Sequence, residues 1–313
     1  MNKDNIVDWI MPRTFSAVNV NEFIQLQIPP RENILTPWLP QQGLTMIYAS
    51  RGVGKTFVAL GIAHAVVTGT SFLKWSAPKP RGVLYLDGEM PAPLMQERLK
   101  MFFHSENLDS NAPFRLLTPD IQKAAMPDLT RFDDQAQLEP FLEGIDLIIV
   151  DNISTLCRGG KENDADAWIP VQDWALRMRA SGRSVLFIHH AGKGGMQRGT
   201  SKREDVLDTV ISLQQSDDYD SKDGAAFEIH FEKTRGFYGE DAESFNARLH
   251  TIDGVMHWEM GAATSTPFDK VIEMIQQGKQ QQEIAKILNI HKSNVSRHVA
   301  RAKQEGKLRG CGY

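Results

Sequence analysis

Eight residues, Ala49-Ser50-Arg51-Gly52-Val53-Gly54-Lys55-Thr56, carry the most specific chemistry in the chain. An apolar stretch (Leu44, Met46, Ile47, Tyr48) precedes them and a helix-like one (Phe57 to Val67) follows. In that setting a glycine-rich turn holds the phosphates of a nucleoside triphosphate. Loop amides and the positive end of the helix face the anion, Lys55 sets its charge between the β and γ phosphates, and the Thr56 hydroxyl binds Mg²⁺. The expected nucleotide contacts are therefore Arg51, Gly52, Val53, Gly54, Lys55, Thr56 and Phe57. The run departs from the usual G-x-x-x-x-G-K-[ST] pattern once: Ala49 stands at the first glycine, where a side chain is expected to strain the turn.

Two further segments supply carboxylates. Leu147-Ile148-Ile149-Val150-Asp151 reads as a buried strand ending in an acid, placed to hold Mg²⁺ through water. In Leu86-Asp87-Gly88-Glu89-Met90, Glu89 follows another strand and is suited to orient and deprotonate an attacking water, with Asp87 as the alternative acid. In Phe231-Glu232-Lys233-Thr234-Arg235, Lys233 and Arg235 are expected on one face of a strand, because side chains alternate with a period of two.

Positioning these groups requires an α/β fold. Short apolar runs at Gly82–Asp87, Phe114–Leu117, Leu147–Asp151 and Ser184–Ile188 alternate with helix-like periods at Pro91–Phe103 and Trp168–Ala180, the signature of a mainly parallel sheet. From Val206 to Met260 the pattern changes to strands joined by polar turns (Val206–Leu213, Ala226–Phe231, Ala247–Ile252, Val255–Met260), read as antiparallel strands at the sheet's edge. The domain is thus expected over residues 44–260, after an N-terminal segment, 1–43, that packs on its own or a neighbouring core. Residues 261–267, small and polar with a proline stop, read as a linker.

Beyond the linker the chain is basic: nine Lys and Arg stand against four Asp and Glu from Pro267 onward, in a chain whose net charge is −4. Val271, Ile272 and Ile275 mark one short helix, Ile284, Ala285, Ile287 and Leu288 a second, and Val295, Val299 and Ala302 a third, with a turn at Asn289-Ile290-His291. Three such helices over 268–313 make a helix-turn-helix whose last helix offers Lys292, Ser293, Asn294, Ser296, Arg297 and Arg301 to duplex DNA. The alternative is a basic docking bundle. Cys157 and Cys311 are too few for a disulfide framework or a zinc site. No apolar run approaches the ~20 residues needed to span a bilayer, so no membrane partner and a cytoplasmic location are expected.

Taken in order, the Gly52–Thr56 loop, the Asp87-Gly88-Glu89-Met90 segment, the Asp151 strand and Phe187-Ile188-His189-His190-Ala191-Gly192-Lys193 resemble RecA-type ATPases over about residues 20–260. More narrowly they resemble the RepA group of hexameric plasmid helicases and its phage and plasmid relatives. The resemblance implies a RecA-like P-loop core that hydrolyses ATP with Mg²⁺, with Glu89 as base and Asn152 beside the metal aspartate. It further implies His190 as the γ-phosphate sensor, and Lys233 with Arg235 reaching into a neighbouring subunit's site. The basic loop from Gly192 to Arg203, with Lys193, Arg198, Lys202 and Arg203, is then expected to line a channel and touch single-stranded nucleic acid. The implied assembly is a homo-oligomer, a hexameric ring in the plasmid helicases. A second class fits the same residues: an ATP-switched DNA-binding regulator that separates no strands.

Overall fold

The computed structural model describes residues 17–103, 112–159, 166–192, 201–215, 224–252, 255–262, 267–288, 292–304 and 306–308. The described residues up to Glu32 form a unit of their own. Within it, helix α1 (Val20–Gln25) begins at Asn19, whose side chain accepts the Asn21 amide while Glu22 accepts a bond from the Asn19 amide. All six helical residues are exposed.

The second unit starts at Asn33. A hairpin of β1 (Asn33–Leu35) and β2 (Leu39–Pro40) buries Ile34, Leu35, Trp38 and Leu39 completely, so this part of the expected N-terminal segment packs into the chain's own core. Strand β3 (Leu44–Ala49) leads into the phosphate loop and helix α2 (Lys55–Thr68). A small hairpin of β4 (Ser71–Phe72) and β5 (Trp75–Ser76) follows. Its Phe72 ring lies where a Cβ on Gly61 would come within 2.2 Å, which is why the middle of α2 carries a glycine.

The chain then runs through β6 (Val83–Asp87), α3 (Ala92–Phe102), β7 (Phe114–Leu117), the short helix α4 (Phe132–Ala136) and β8 (Leu147–Asp151). After these come α5 (Ile153–Leu156), α6 (Ile169–Ala180), β9 (Ser184–His190), β10 (Thr209–Gln215), β11 (Ala225–Thr234), β12 (Phe245–Ile252) and β13 (Val255–Ala262). One nine-stranded sheet has the order β13-β12-β11-β10-β3-β9-β8-β6-β7. From β7 to β10 every pairing is parallel, and from β10 outward every pairing is antiparallel. The first strand of the expected edge meander, β10, is therefore part of the parallel body, paired with β3 from Thr209 opposite Thr45 to Leu213 opposite Ala49. The meander proper begins one strand later.

Strands β3, β6, β8 and β9 are buried along their whole lengths because apolar clusters cover both faces of the sheet, which explains their unbroken apolar sequences. Helix α2 lies within the cluster that also holds the two small hairpins, and it has no polar stripe because most of its residues are buried and none is fully exposed. The fold class is the expected one, a mixed α/β core with a mainly parallel sheet and antiparallel edge strands, followed by a small all-α domain.

Helices α7 (Pro267–Gln276), α8 (Gln281–Ile287) and α9 (Lys292–Gln304) enclose a separate core of Phe268, Val271, Ile272, Ile284, Val295, Val299, Ala302 and Leu308. Ile287, expected on the apolar face of α8, is half exposed instead. Strand β13 runs through Gly261 and Ala262 and α7 starts at Pro267, so both ends of the expected linker are regular structure and its middle lies outside the described residues. The Asn289–His291 turn also lies outside the described residues.

Candidate active site

The parallel strands end along one edge of the sheet, and the register sets their last residues side by side: Ala49 opposite His190, and Asp87 opposite Asp151. The phosphate loop crosses this edge. Its left-handed positions are Gly52 (φ 82) and Gly54 (φ 116), which caps α2. Ala49 keeps a negative φ as the last residue of β3, so the strain expected there does not arise. The carbonyl of Ala49 accepts the Ala191 amide at 2.8 Å and the Lys55 ammonium at 3.1 Å, and Ser50 O takes a second ammonium proton at 2.9 Å. Lys55 is thereby held inside the curl of the loop. Burial pulls its pKa down, while the charges of Asp151 and Glu89 oppose that shift.

Thr56 follows on the first turn of α2, and its hydroxyl lies near enough to the Asp151 carboxylate to favour the charged form. Tyr85, on β6, donates its hydroxyl to this group, reaching Asp151 Oδ2 at 2.7 Å. Asp151 is buried, and loss of water drives its carboxyl up to about 6 despite the two hydroxyls that pull the other way. A buried carboxylate beside a hydroxyl at the mouth of a phosphate loop fits Mg²⁺, a hard cation that prefers oxygen donors and keeps several of its waters. The peptide between Asp151 and Asn152 is cis.

The two candidate acids after β6 differ sharply. Asp87 is 2% exposed and both its oxygens are engaged: Oδ1 by the amides of Glu89 and Met90, Oδ2 by the hydroxyl of Thr118. The Glu89 side chain is half exposed, its Oε1 3.6 Å from His190 Nε2. Asn152 caps α5 with its Oδ1 and brings its Nδ2 to 3.4 Å from the same ring nitrogen. Burial lowers the pKa of His190, with the Lys55 charge acting the same way and Glu89 opposing it, which leaves the imidazole neutral at pH 7. Phe57 packs against the core under the Arg98 guanidinium, 4.6 Å above its ring, and Val53 is buried, whereas Arg51 and Gly52 are exposed.

The AAA domain family matches residues 12–196, more than half of the chain. The chain belongs to that family. Among solved structures, this AAA domain protein is similar to the flagellar accessory protein FlaH of Methanocaldococcus jannaschii, at 14% identity and a TM-score of 0.48, over 71% of this chain and 91% of the other. It is also similar to a KaiC-like protein of Pyrococcus horikoshii OT3, at 11% identity and a TM-score of 0.49, over 74% and 99% of the two chains.

Other expected site residues of the AAA domain protein lie elsewhere. Lys233 and Arg235 sit at the opposite edge of the sheet, because β11 runs antiparallel and ends beside the first residues of β10. The same-face argument fails for them because the strand stops at Thr234, which leaves Arg235 in the bend that follows. Lys233 donates to the carbonyl of Glu204. Arg235, about half exposed, lies 3.6 Å from the buried carboxylate of Asp208, whose other oxygen accepts the Leu44 amide.

In the basic loop, Lys193 and Arg198 lie outside the described residues and Lys202 is exposed. Arg203, expected to face nucleic acid, is 5% exposed: it donates to His189 Nε2 at 2.8 Å and lies 5.4 Å from the Trp168 ring centre. Arg203 lies in the one-turn 3-10 helix Ser201–Glu204, too short to carry a periodicity from which such burial is readable.

On α9, Lys292, Ser293, Ser296 and Arg297 are exposed and Asn294 is partly covered. Arg297 bonds Asn294 on its own helix, and Arg301 lies over the Phe268 ring at 4.6 Å. Two contributors to the strand-end edge are absent from the sequence-based expectation, Tyr85 and Thr118. Tyr85 shares a strand face with Asp87 by the period of two, a signal present in the sequence. Thr118 is 31 residues from Asp87 and becomes its neighbour only because β7 pairs with β6.

No helix among the described residues is long and apolar enough to cross a membrane, and no cluster of three or more His, Cys, Asp or Glu side chains there is arranged as a metal site.

Proposed function

We propose that this chain is a RecA-like, Mg²⁺-dependent ATPase that works on DNA in the replication of a plasmid, phage or other mobile element, as a RepA-like ring helicase does. One observation carries the hydrolytic part. Four parallel strand ends bring Lys55, Thr56, Asp151 and Glu89 to one edge, and of the two acids after β6 only Glu89 has its carboxylate open to a substrate water.

In this reading the loop amides and Lys55 hold the β and γ phosphates. Thr56 and, through water, Asp151 hold Mg²⁺, which supplies neutralising charge. Glu89 takes a proton from the attacking water. His190, neutral and adjoining Glu89, senses the γ-phosphate.

Arg235 stands at the far edge of its own sheet, so as an arginine finger it serves a neighbouring subunit. That supports an oligomer. A second reading, the ATP-switched duplex-binding regulator, draws on two observations: Arg203 is withdrawn from the basic loop, while α9 keeps Lys292 and Arg297 exposed.

The deciding experiment measures ATP hydrolysis with no DNA, single-stranded DNA and duplex DNA, together with strand displacement on a forked substrate. Stimulation by single strands with displacement supports the helicase. A response to duplex alone, without displacement, supports the regulator, and no hydrolysis under any condition overturns both.

A further inference from the structure

The Glu89 carboxylate is carried by a short turn, and that turn is held from three directions. Asp87 Oδ1 accepts the amides of Glu89 at 3.1 Å and Met90 at 3.0 Å. The Gly88 amide donates to the carbonyl of Asp151 at 2.7 Å, and Gly88 lies so close to α5 that a Cβ would come within 2.1 Å of Thr155 Oγ1. The third hold comes from the residue after β7. Thr118, 3% exposed, donates its hydroxyl to Asp87 Oδ2 at 2.8 Å, with the Met90 carbonyl 3.4 Å away.

We propose that Thr118 is a positioning residue for ATP hydrolysis: by fixing the Asp87 carboxylate it holds the Gly88–Met90 turn, and through it the water-activating carboxylate of Glu89. The proposal rests on the reading of Glu89 as the base. Its logic is geometric. Asp87 has a bonding partner at each oxygen, and its orientation is set by Thr118 on one side and the turn amides on the other. Without the hydroxyl, Oδ2 is left buried and unsatisfied, so the carboxylate rotates or draws in water and the turn amides follow it. A shift of about 1 Å in a reacting group lowers a rate by roughly 10²-fold without touching the contacts that bind substrate.

Thr118→Val keeps the shape and removes the donor. In full-length protein it should lower kcat for ATP by about 10- to 100-fold and leave KM and fluorescent-nucleotide affinity within about twofold. Thr118→Ser, which restores the hydroxyl, should recover kcat to within about threefold. Asp87→Asn retains an acceptor for the turn amides and offers N–H to Thr118 Oγ1, so a positioning role predicts a loss of less than about tenfold, against near-abolition for a general base.

In single-turnover measurements on the Glu89→Gln background, Thr118→Val should cause no further loss, because the group it positions is already disabled. If Glu89→Gln is inactive while Thr118→Val turns over at the parent rate, the positioning role is wrong and the base assignment stands. If Glu89→Gln keeps the parent rate, the base assignment itself falls. Additive losses in the double variant, or nucleotide affinity falling in step with kcat, show a general structural role and overturn the proposal. Should Thr118→Val not fold, Thr118→Ser and Asp87→Asn decide the matter through the same kcat and affinity measurements.

Discussion

The two edges of the central sheet handle charge in opposite ways. At the edge where the parallel strands end, Lys55, Asp87 and Asp151 are buried and bonded to hydroxyls and loop backbone of the same chain. At the other edge a single buried carboxylate, Asp208, meets the half-exposed guanidinium of Arg235. In the proposed function the first edge receives a phosphate chain, while the second presents a half-exposed cation. Under the proposed function, substrate binding falls to one edge and any contribution between subunits to the other.

The strongest way to break this division is through Arg235. If it serves a neighbour, Arg235→Ala should lower ATP turnover by about 10³- to 10⁵-fold. Mixing that variant with Glu89→Gln protein should restore activity, because a mixed interface pairs an intact base with an intact finger. Full activity in Arg235→Ala, or a monomer by light scattering with ATP bound, rules out the trans role. The near edge is sharpened by Lys55→Ala, expected to weaken triphosphate binding by at least about 10²-fold in a fluorescent-nucleotide titration, since a charge-assisted contact of about 3 kcal/mol is lost.

The C-terminal helices have their own core and belong to neither edge. Ending the chain before Pro267 should leave hydrolysis largely intact and remove most duplex affinity. If the three helices neutralise about four phosphates, the log–log salt slope is near −3.6, so binding weakens by roughly two orders of magnitude between about 50 and 200 mM salt. Fluorescence anisotropy checks both points. Unchanged affinity in the shortened chain would make these helices a docking bundle, the alternative that their basic sequence leaves open.

The two buried carboxylates should also separate by stability. Burial raises Asp151 to about 6, above the ordinary aspartate value of 3.8, so the folded state holds that proton more tightly than the unfolded chain does. The associated stability is fully present below the unfolded value and is lost as pH rises through about 6. In Mg²⁺-free buffer Asp151→Asn should therefore stabilise the protein at pH 7.5, by on the order of 3 kcal/mol at most, with the gain vanishing near pH 4. Asp208→Asn removes a charged partner from a half-exposed Arg235 and should destabilise by about 1 kcal/mol. Thermal unfolding at the two pH values tests both, and the same sign for both variants would erase the distinction.

Much of the near edge is legible in the sequence because its residues are tied to strand ends, where an apolar run, a carboxylate and a glycine-rich turn occupy fixed neighbouring positions. Asp151 and the Gly52–Thr56 loop are cases of this. What stays hidden depends on contacts between distant segments. Asp87 and Glu89 are both candidate bases by sequence, and they are told apart by the burial of Asp87 under the turn amides and the hydroxyl of Thr118, which arrives from a distant segment. Arg203 reads as a loop cation, yet Trp168 and His189 cover it. Strand β10 reads as part of the meander but pairs with β3, since a short apolar run does not state its direction. The alternation expected to join Lys233 to Arg235 stops because the strand ends at Thr234, one residue short, and the exact end of a strand leaves little mark in the sequence.

The most direct test of the central claim compares Glu89→Gln with the parent chain for both Mg²⁺-ATP binding and steady-state phosphate release. Binding within about threefold of the parent with turnover reduced by roughly 10²-fold or more is the outcome expected if the parallel-strand edge is a hydrolytic site with Glu89 as its base. Phosphate release at the parent rate from Glu89→Gln would contradict it.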